Sequence, residues 1–510
     1  MRQRQSSTDL NAVVSSNNQL GISTGHGIPY KASARSTCYL YRNPVTGSTA
    51  MNYDELEISV PIGDAGNYFV SVFGTKQKSA SAVKSFIRSY VGMPGLFVWH
   101  DSGGMTKTGT WTSSGNVNSM YATYRYSVEA GATMYCTVTG SVIGIQIFQS
   151  TNGGYAIVGI DGDYTAAELL PAFTNQDYVD GKCRLTDIGK RYFDCYSGLG
   201  WTTKLPITKN ASSGTHTVTI EVTGTKRSSS SDYRCYMEGI VGVTGGAVPP
   251  SASVHMLPLY SVVGNQSGWS AQCWVCSWAP VGSTDYQFIG ENHADNINSK
   301  ETETSWSITV DTTDQTAIAR GSYASGTNIS ISHVTDVYHK SNLSASVATK
   351  TRNYTFMANR KFPIMVDLRI LWNIAGGIAY EYPVMITTPD ITKPITGFLP
   401  DYFNRAYAGG NKVTITKNYN ETTTTVYGNG RTLIVAGDEV AYFAELLYAN
   451  PPDVGIRKSF THSYVDRSSQ DFKMYYVKTT LTGGTSPYSV GETTHYIMGW
   501  GAMINPKGYL

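Results

Sequence analysis

Ser213-Gly-Thr-His-Thr-Val-Thr-Ile-Glu-Val-Thr-Gly224 alternates apolar and polar residues along its second half. Successive side chains of a β-strand point to opposite faces, so Val218, Ile220 and Val222 would share one buried face. The Thr and Glu residues between them would line the other face. This stretch therefore predicts a strand that covers a core from one side, as in a β-sandwich.

Two apolar runs earlier in the chain extend this pattern. They are Ile143-Gly-Ile-Gln-Ile-Phe148 and Tyr155-Ala-Ile-Val-Gly-Ile160, and Thr151-Asn-Gly-Gly154 separates them. Asn and Gly readily adopt the backbone angles of tight turns, so this spacing is typical of a hairpin. We predict that the two runs pair as neighbouring antiparallel strands.

The composition favours strands over the whole chain. Among 510 residues there are 51 Gly and 36 Tyr, while charged residues make up only 15%. Aromatic and β-branched side chains suit a pleated surface, and Gly suits the turns between strands. We therefore expect an all-β protein of consecutive antiparallel β-sandwiches. One short helix is expected at residues 80–90, where Val83, Phe86, Ile87 and Tyr90 recur at helical spacing.

The chain is predicted to have four parts. Residues 1–50 contain too few apolar residues for a core and are interpreted as an extended N-terminal arm, whose removal should leave the rest folded. Residues 51–108 form a small connecting β region, 109–248 a first sandwich and 249–510 a large C-terminal β-sandwich. The boundary at 248 rests on Gly245-Gly-Ala-Val-Pro-Pro250, because Pro disfavours a continuing central strand.

Charge and hydropathy limit the classes of partner. The net charge of +2 gives no electrostatic argument for nucleic acid or an anionic membrane. No apolar run reaches the length of a membrane-spanning helix, and Met1-Arg-Gln-Arg-Gln-Ser-Ser7 lacks the apolar segment of a secretory signal. Seven Cys at uneven spacing do not resemble a disulfide framework. Cys273-Trp-Val-Cys276 is interpreted as two half-buried thiols, and no cofactor or metal is predicted.

One short segment carries the residue types of acid–base chemistry. In Glu291-Asn-His-Ala-Asp295, an extended backbone would place Glu291, His293 and Asp295 on one face. Two carboxylates beside an imidazole suit general acid–base catalysis or metal binding. Asn and Asp are also common turn residues, so the alternative is a solvated loop.

Two other polar features have a structural interpretation. Asp161-Gly-Asp163 follows an apolar run and indicates a turn rather than a calcium loop, because the sequence around it lacks the further oxygen ligands. His216 is expected to be a surface histidine without a catalytic role.

Aromatic side chains supply the candidate ligand-binding surface. Trp201, Tyr233 and Tyr236 are predicted to form a platform for sugar rings, since each offers a flat apolar face and a polar group. Gly198-Leu-Gly200 just before Trp201 would let a ligand approach the backbone closely. A second such group is Trp269, Trp274 and Trp278. Core filling and subunit contacts are the alternative for both groups.

The first predicted sandwich also resembles a known kind of module. Trp111, Gly140-Ser-Val-Ile-Gly-Ile-Gln-Ile147, Ile160-Asp-Gly162 and Gly214-Thr-His-Thr-Val-Thr-Ile-Glu-Val222 follow one another in the chain. In that order they resemble the jelly-roll modules of the carbohydrate-binding, galactose-binding-like type. The resemblance implies a jelly roll over residues 109–248. The long strand-rich region after it resembles the supersandwich domains of some polysaccharide-acting and phage proteins.

The whole chain, with its arm and its successive Gly-, Ser-, Thr- and Tyr-rich β domains, resembles bacteriophage tail fibre, tailspike and appendage proteins. That resemblance implies a homotrimer assembled in the host cytoplasm, attached by residues 1–50 to other virion tail proteins and binding host surface polysaccharide. The first hypothesis is an adhesion protein that binds host glycan without chemistry. The alternatives are a glycan-degrading hydrolase or lyase and a purely structural virion component.

Overall fold

The computed structural model describes about 69% of the chain, in segments separated by short and long gaps. The described residues are 34–44, 53–63, 66–78, 81–116, 119–167, 186–187, 190–197, 200–245, 251, 253–261, 274–289, 300–339, 342–389, 405–408, 411–413, 424–426, 432–436, 439–450, 460–467, 472–480 and 488–504. None of them belongs to a helix long and apolar enough to span a bilayer.

Regular structure in these segments consists of β-strands. The strands of the first half are β1 (Cys38–Arg42), β2 (Tyr53–Pro61), β3 (Tyr68–Lys78), β4 (Ser81–Trp99), β5 (Met105–Thr108), β6 (Thr112–Ser114), β7 (Tyr124–Ser127), β8 (Thr133–Thr139), β9 (Val142–Gln149), β10 (Tyr155–Ile160), β11 (Thr186–Asp187), β12 (Arg191–Asp194), β13 (Trp201–Thr208), β14 (Thr215–Val222), β15 (Cys235–Met237), β16 (Gly239–Val243) and β17 (Val254–Ser261). Those of the second half are β18 (Val275–Pro280), β19 (Gln287–Ile289), β20 (Lys300–Val310), β21 (Thr313–Asp314), β22 (Tyr323–Gly326), β23 (Asn328–His339), β24 (Asn342–Met357), β25 (Ile364–Trp372), β26 (Gly376–Pro389), β27 (Arg405–Ala408), β28 (Asn411–Val413), β29 (Thr424–Val426), β30 (Thr432–Ala436), β31 (Val440–Asn450), β32 (Phe460–Arg467), β33 (Phe472–Thr480) and β34 (Thr493–Ile504).

Within the described residues these strands form four antiparallel sheets. A nine-stranded sheet has the order β13-β9-β16-β4-β3-β2-β1-β22, with β17 also paired to β4. A six-stranded sheet has the order β11-β12-β10-β14-β8-β5, and a three-stranded sheet the order β15-β7-β6. A sixteen-stranded sheet runs from β28 to β29 through β31, β34, β25, β24, β23 and β26. The expected all-β fold of antiparallel sandwiches is confirmed.

The nine-stranded sheet belongs to both sandwiches. At one end β9, β13 and β16 pack against the six-stranded sheet, and residues such as Ile145 and Leu205 meet Val158 and Ile220 in a common core. Elsewhere in the same sheet, buried side chains such as Leu40 join the core beneath the sixteen-stranded sheet. The strands of this sheet come from both sides of residue 248, because β17 and β22 pair with β4 and β1.

The alternation in β14 is present as predicted. Val218, Ile220 and Val222 are buried, and the residues between them are partly exposed. His216 lies two residues before Val218, so its side chain points to the same face as these three residues, and it is only 7% exposed. The expectation that it is a surface histidine is therefore wrong, because the buried face of the strand begins at His216, two residues before the apolar run.

The predicted hairpin at 143–160 does not form. β9 pairs with β13 and β16, whereas β10 pairs with β12 and β14 in the opposite sheet. The turn at 151–154 instead crosses the core from one layer to the other. A Cβ on Gly153 would lie 2.0 Å from the Cys195 carbonyl, so Gly is needed here for close packing rather than for hairpin geometry.

The helix expected at residues 80–90 is also absent, since the segment lies in β4. β4 pairs with β3 from Ser81 to Gly92, and Ile87 is the extra residue of a β-bulge, between Phe86 and Arg88, which both pair with β3. An extra residue in a strand interrupts the two-residue period, and the interrupted pattern imitates helical spacing.

The predicted arm contains a core strand. β1 lies between β2 and β22, and its Cys38 and Leu40 side chains are completely buried. The guanidinium of Arg35 donates to the carbonyls of Ile62 and Asn67. Residues 34–44 of the predicted arm therefore belong to the fold.

Candidate functional site

Four of the residues proposed as sites remain predictions. Glu291, His293 and Asp295 lie outside the described residues. Trp201 begins β13, where its backbone pairs with Gln149, but nothing is described of its side chain.

Tyr233 and Tyr236 do not share a platform. The Tyr236 ring is 1% exposed, contacts Tyr124 and Phe148 edge to face, and places its hydroxyl as a donor to Asn152 Oδ1. Tyr233 is 42% exposed. The expectation that Tyr236 faces a sugar is wrong, because all three residues of β15 are buried. Tyr233 remains accessible.

The second aromatic group lies in the core where it is described. Trp274 and Trp278 are each 1% exposed, which agrees with the core-filling alternative. Trp269 and Cys273 lie outside the described residues, and Cys276 is completely buried. Burial raises the pKa of the Cys276 thiol well above its usual value.

A β-bulge in β20 creates a polar region inside the larger core. The register with β23 shifts between Glu303 and Ser305, so Thr304 is an extra residue. Glu301 and Glu303 share a face before the bulge. The extra residue then brings Trp306 to that face, where strict alternation would have placed Ser305.

The two neighbouring strands face this part of β20 with polar groups of their own. Trp306 pairs with His333 of β23, and Arg352 of β24 pairs with His333 from the other side. The resulting set, here called the charged band, consists of Glu301, Glu303, His333, Thr335, Lys350 and Arg352. It sets two carboxylates against two permanently charged cations.

Glu301 is the centre of the charged band. Its buried carboxylate accepts hydrogen bonds from Lys350 Nζ at 2.9 Å, Arg352 Nη2 at 2.9 Å and Thr335 Oγ1 at 2.5 Å. Burial raises the pKa of Glu301, but Arg352 and Lys350 outweigh it, so the net effect is a pKa below the usual range. Glu301 is therefore a carboxylate held ionised inside the core by two buried cations.

His333 connects Glu301 to the surface. Its Nδ1 lies 3.3 Å from Arg352 Nη1, and its Nε2 lies 3.2 Å from Glu303 Oε2. Burial lowers the pKa of His333 and the adjacent Arg352 acts in the same direction, so the ring is neutral at pH 7. Because guanidinium only donates, Nδ1 is the acceptor and Nε2 carries the proton. His333 thereby joins the charged interior to Glu303 at the edge of the core.

The charged band opens onto a cleft of about 340 Å³, here called the Trp306 cleft. Trp306 is half-buried, and its ring contacts the rings of His333 and Phe73 at centroid distances of 5.1 and 6.1 Å. The side chain of Glu303 is 24% exposed. Other lining residues include Arg42, Leu56, Thr304, Ser305, Thr316 and Ile318. The cleft therefore combines one aromatic face with a carboxylate, a guanidinium and several hydroxyls.

Arg42 brings the N-terminal strand into this cleft. Its Nη1 donates to the carbonyl of Ile318 at 2.7 Å, and its backbone N–H donates to Ser322 O at 3.0 Å. The cleft is thus assembled from β1, β2, β20 and the segment that follows β21. Residues far apart in the sequence meet there, because β1 pairs with β22.

A second buried polar set shows that the nine-stranded sheet is strongly curved. Lys204 Nζ of β13 donates to Glu57 Oε1 of β2 at 2.8 Å, and both side chains are buried. These strands are the first and sixth in the sheet order, which a flat sheet would separate by roughly 24 Å at about 4.8 Å per strand. The sheet must curl until the two strands face each other.

Glu238 is the most perturbed acid of this second set. It is 1% exposed, and its carboxylate accepts hydrogen bonds from Met120 N, Gln146 Nε2 and Thr202 Oγ1. Burial outweighs these bonds and raises the pKa of Glu238 from 4.5 to about 7. The folded protein therefore holds this proton at pH values where the unfolded chain has released it.

Glu238 is expected to weaken folding as the pH rises. Because the pKa of Glu238 is higher in the folded state, its protonated form stabilises the folded protein fully below pH 4.5, and this contribution is lost as the pH rises to 7. The loss amounts to about 3 kcal/mol, at 1.36 kcal/mol per pH unit. Glu238→Gln should remove this dependence. The difference in free energy of unfolding between variant and wild type, measured by urea denaturation at several pH values, should rise from pH 4.5 to pH 7. Two parallel curves would contradict the assignment.

Metal binding has no candidate in the described part of the chain. None of its groups of three or more His, Cys, Asp and Glu side chains could hold a metal ion. Asp161 and Asp163 flank a turn, as the sequence indicates, and their carboxylates bond to Thr217 N and Thr165 N.

The sequence also contains a signal for the charged band. Glu301 and Glu303 lie two residues apart in one strand-like run, as do Lys350 and Arg352 in another. Such spacing places the two carboxylates on one face of a strand and the two cations on one face of another, so that the pairs can face one another if the strands are neighbours.

Comparisons with known proteins return no close relative. No family model matches the chain, and no curated protein matches it. Among solved structures, a two-domain esterase (CEX) active on acetylated mannans, also crystallised with mannopentaose, matches with a TM-score of 0.22 and 11% identity over 31% of this chain and 37% of its own. The Agl-KA catalytic domain matches with a TM-score of 0.16 and 16% identity, over 31% of this chain and 29% of its own. The chain thus spans about a third of these proteins, and scores this low indicate neither a shared fold nor a shared function.

Proposed function

We propose that this protein binds glycan in the Trp306 cleft. The observation that carries the proposal is the juxtaposition of the Trp306 ring with Glu303 and Arg42 in one open cleft. A sugar ring has an apolar C–H face that packs on an indole, and its hydroxyls pair with carboxylate and guanidinium groups. An apolar ligand without hydroxyls would form no hydrogen bonds with these charged groups.

The charged band supports this proposal by fixing the lining residues in advance. Trp306 is held by ring contacts with His333 and Phe73, and His333 Nε2 lies 3.2 Å from the carboxylate of Glu303. Side chains that are already ordered lose less conformational entropy when a ligand binds. The buried cations and carboxylates therefore act as a support for a binding surface.

We further propose that the glycan lies on a bacterial surface and that the chain is part of a virion. This step is supported by the resemblance of the sequence to phage tail fibre and appendage proteins. A single shallow cleft binds one sugar weakly, so several copies on one particle would supply the avidity, typically about 10²–10⁴-fold. A homotrimer attached through the N-terminal residues would provide such copies.

The test is a binding measurement with purified bacterial surface polysaccharides. Trp306→Ala should weaken binding at least about tenfold, which corresponds to about 1.4 kcal/mol. Because the Trp306 ring also contacts the core, Ser305→Tyr is the companion variant. It fills the cleft from an exposed position without removing a core contact, and it should abolish binding while the melting temperature stays unchanged.

Tyr233→Ala is the matched control, because Tyr233 is an exposed aromatic residue outside the cleft. It should bind as the wild type does. Loss of binding in Tyr233→Ala with normal binding in Ser305→Tyr would place the glycan on the jelly roll instead. A wild-type chain that binds no polysaccharide would favour a purely structural role.

A further inference from the structure

We propose that Ser212, His216 and Asp161 form a second, hydrolytic site that cleaves short acyl esters. His216 Nδ1 lies 2.7 Å from Asp161 Oδ2, and His216 Nε2 lies 3.1 Å from Ser212 Oγ. The carboxylate, imidazole and hydroxyl are thus connected in the order that activates a serine nucleophile. The site is separate from the Trp306 cleft and does not depend on glycan binding there.

The carboxylate of this group is held in a fixed position. Asp161 follows β10 with a φ of 54°, in the left-handed region that few residues other than Gly adopt. Its backbone N–H donates to Thr217 O, and its Oδ1 accepts from Thr217 N, both at 2.8 Å. Oδ2 is left to face the imidazole.

The imidazole is oriented for proton transfer. A carboxylate only accepts, so the proton of the neutral ring resides on Nδ1 and the lone pair of Nε2 faces Ser212. His216 is 7% exposed, and the turn that carries Ser212 is tied down by bonds from Ala211 N to Ser141 O and from Gly140 N to Gly214 O. Ser212 itself is exposed, so a substrate can reach its hydroxyl.

The carbonyl of Ser212 competes for the same imidazole nitrogen, at 3.0 Å from Nε2. It accepts a hydrogen bond from the imidazolium form, whereas the neutral form accepts a hydrogen bond from the Ser212 hydroxyl. The hydrogen bonds that His216 donates to Asp161 and to the Ser212 carbonyl raise the pKa of His216 above 6.5. Hydrolysis should therefore increase with pH through a midpoint above 6.5, since the neutral ring is the active base.

The reaction follows from these contacts. Ser212 Oγ attacks the ester carbonyl while its proton passes to His216 Nε2. The bond to the alcohol then breaks, and His216 returns the proton to the leaving oxygen. Water attacks the acyl-serine with the same base, which releases the carboxylic acid and restores Ser212. The amides of Ser213 and Gly214 donate no hydrogen bond to a described residue and follow the nucleophile directly, as oxyanion donors do.

The surroundings of Ser212 define the substrate class. The turn reads Thr208-Lys-Asn-Ala-Ser-Ser-Gly-Thr215, and its Asn210, Ser213 and Gly214 are exposed. Polar, solvated residues offer no apolar wall for a long acyl chain, so the site suits a short acyl group such as acetyl on a large, solvated alcohol.

The test uses the full-length chain with p-nitrophenyl acetate and a fluorophosphonate probe. The wild type should hydrolyse the ester, and mass spectrometry should find the probe on Ser212. Ser212→Ala should lose the labelling and at least about a hundredfold of the rate. In Asp161→Asn the new residue still tolerates the left-handed backbone, but its amide favours the wrong tautomer of the His216 imidazole. The variant should therefore lose most of the hydrolysis rate, and the midpoint of its pH profile should no longer lie above 6.5.

Ser229→Ala is the control, since it removes an exposed serine hydroxyl beyond the opposite end of β14 and should keep full activity. Ser212→Ala should bind polysaccharide as the wild type does, so that loss of glycan binding and loss of hydrolysis are measured separately. No probe on Ser212 in the wild type, or an unchanged rate in Ser212→Ala, would show that the three residues only fasten the turn to the sheet.

Discussion

Glu301→Gln should lower the free energy of unfolding by about 3–5 kcal/mol, the usual cost of removing one partner from a buried ion pair. Gln is close to Glu in size, so packing is nearly unchanged. Lys350 and Arg352 would however remain in the core without the carboxylate that accepts their hydrogen bonds at 2.9 Å. Denaturation by urea at pH 7 measures the change. Because total stabilities are typically about 5–15 kcal/mol, much of the margin would be lost.

Lys350→Met is the matched variant for this experiment. Alone, it leaves Arg352 paired with Glu301, whereas Glu301→Gln with Lys350→Met removes one charge of each sign. The double variant should be more stable than Glu301→Gln alone, since it buries one unpaired cation fewer. Additive losses from the two single changes would show that the charges do not interact and would contradict the charged band as described.

A chain that lacks residues 1–50 should not form the native structure and should show no cooperative unfolding transition. The deletion removes β1, whose Cys38, Leu40 and Tyr41 side chains are at most 3% exposed. Full burial of an apolar side chain contributes about 1.5–3 kcal/mol, so these three together contribute about 4.5–9 kcal/mol. β1 also pairs with both β2 and β22, and these strands would gain open edges. Calorimetry of the deletion variant measures the effect.

Deletion of residues 1–33 is the matched control. The sparse apolar content of this segment predicts little contribution to a core, so the melting temperature should stay close to that of the full chain. Equal melting of the two deletion variants would show that β1 is dispensable. A large loss from the shorter deletion would instead assign residues 1–33 to the fold.

Much of the fold could be predicted from alternation within single strands. β14 has one apolar face over three successive pairs of residues, and no bulge interrupts it. Where such a pattern is regular, the buried face follows from the two-residue period alone. The all-β class follows from many such runs together with the Gly-rich turns between them.

Pairing and interrupted patterns could not be read in the same way. Both runs around Asn152-Gly-Gly154 are buried on both faces, so the sequence contains no alternation to tell a hairpin from a crossing between layers. In β4 the bulge at Ile87 gave helical spacing to a strand. Partners are chosen by contacts distant in sequence, which local periodicity does not record.

The candidate sites were missed for a related reason. Glu303, Trp306 and Arg42 belong to strands separated by more than 250 residues, and the bulge at Thr304 sets which side chains share the face. Asp161, Ser212 and His216 meet only because β10 pairs with β14. The burial of His216 could have been predicted, since it lies two residues before Val218 and so points to the same face of the strand.

Hydrogen–deuterium exchange of the wild-type chain, with and without a polysaccharide that it binds, tests the central claim most directly. The account predicts slower exchange of backbone amides in Glu303–Ile308 and in Thr316–Ile318, which line the Trp306 cleft, and unchanged exchange in the turn that carries Tyr233. Protection confined to the Tyr233 turn, or no protection in β20 at saturating polysaccharide, would contradict a glycan site at Trp306.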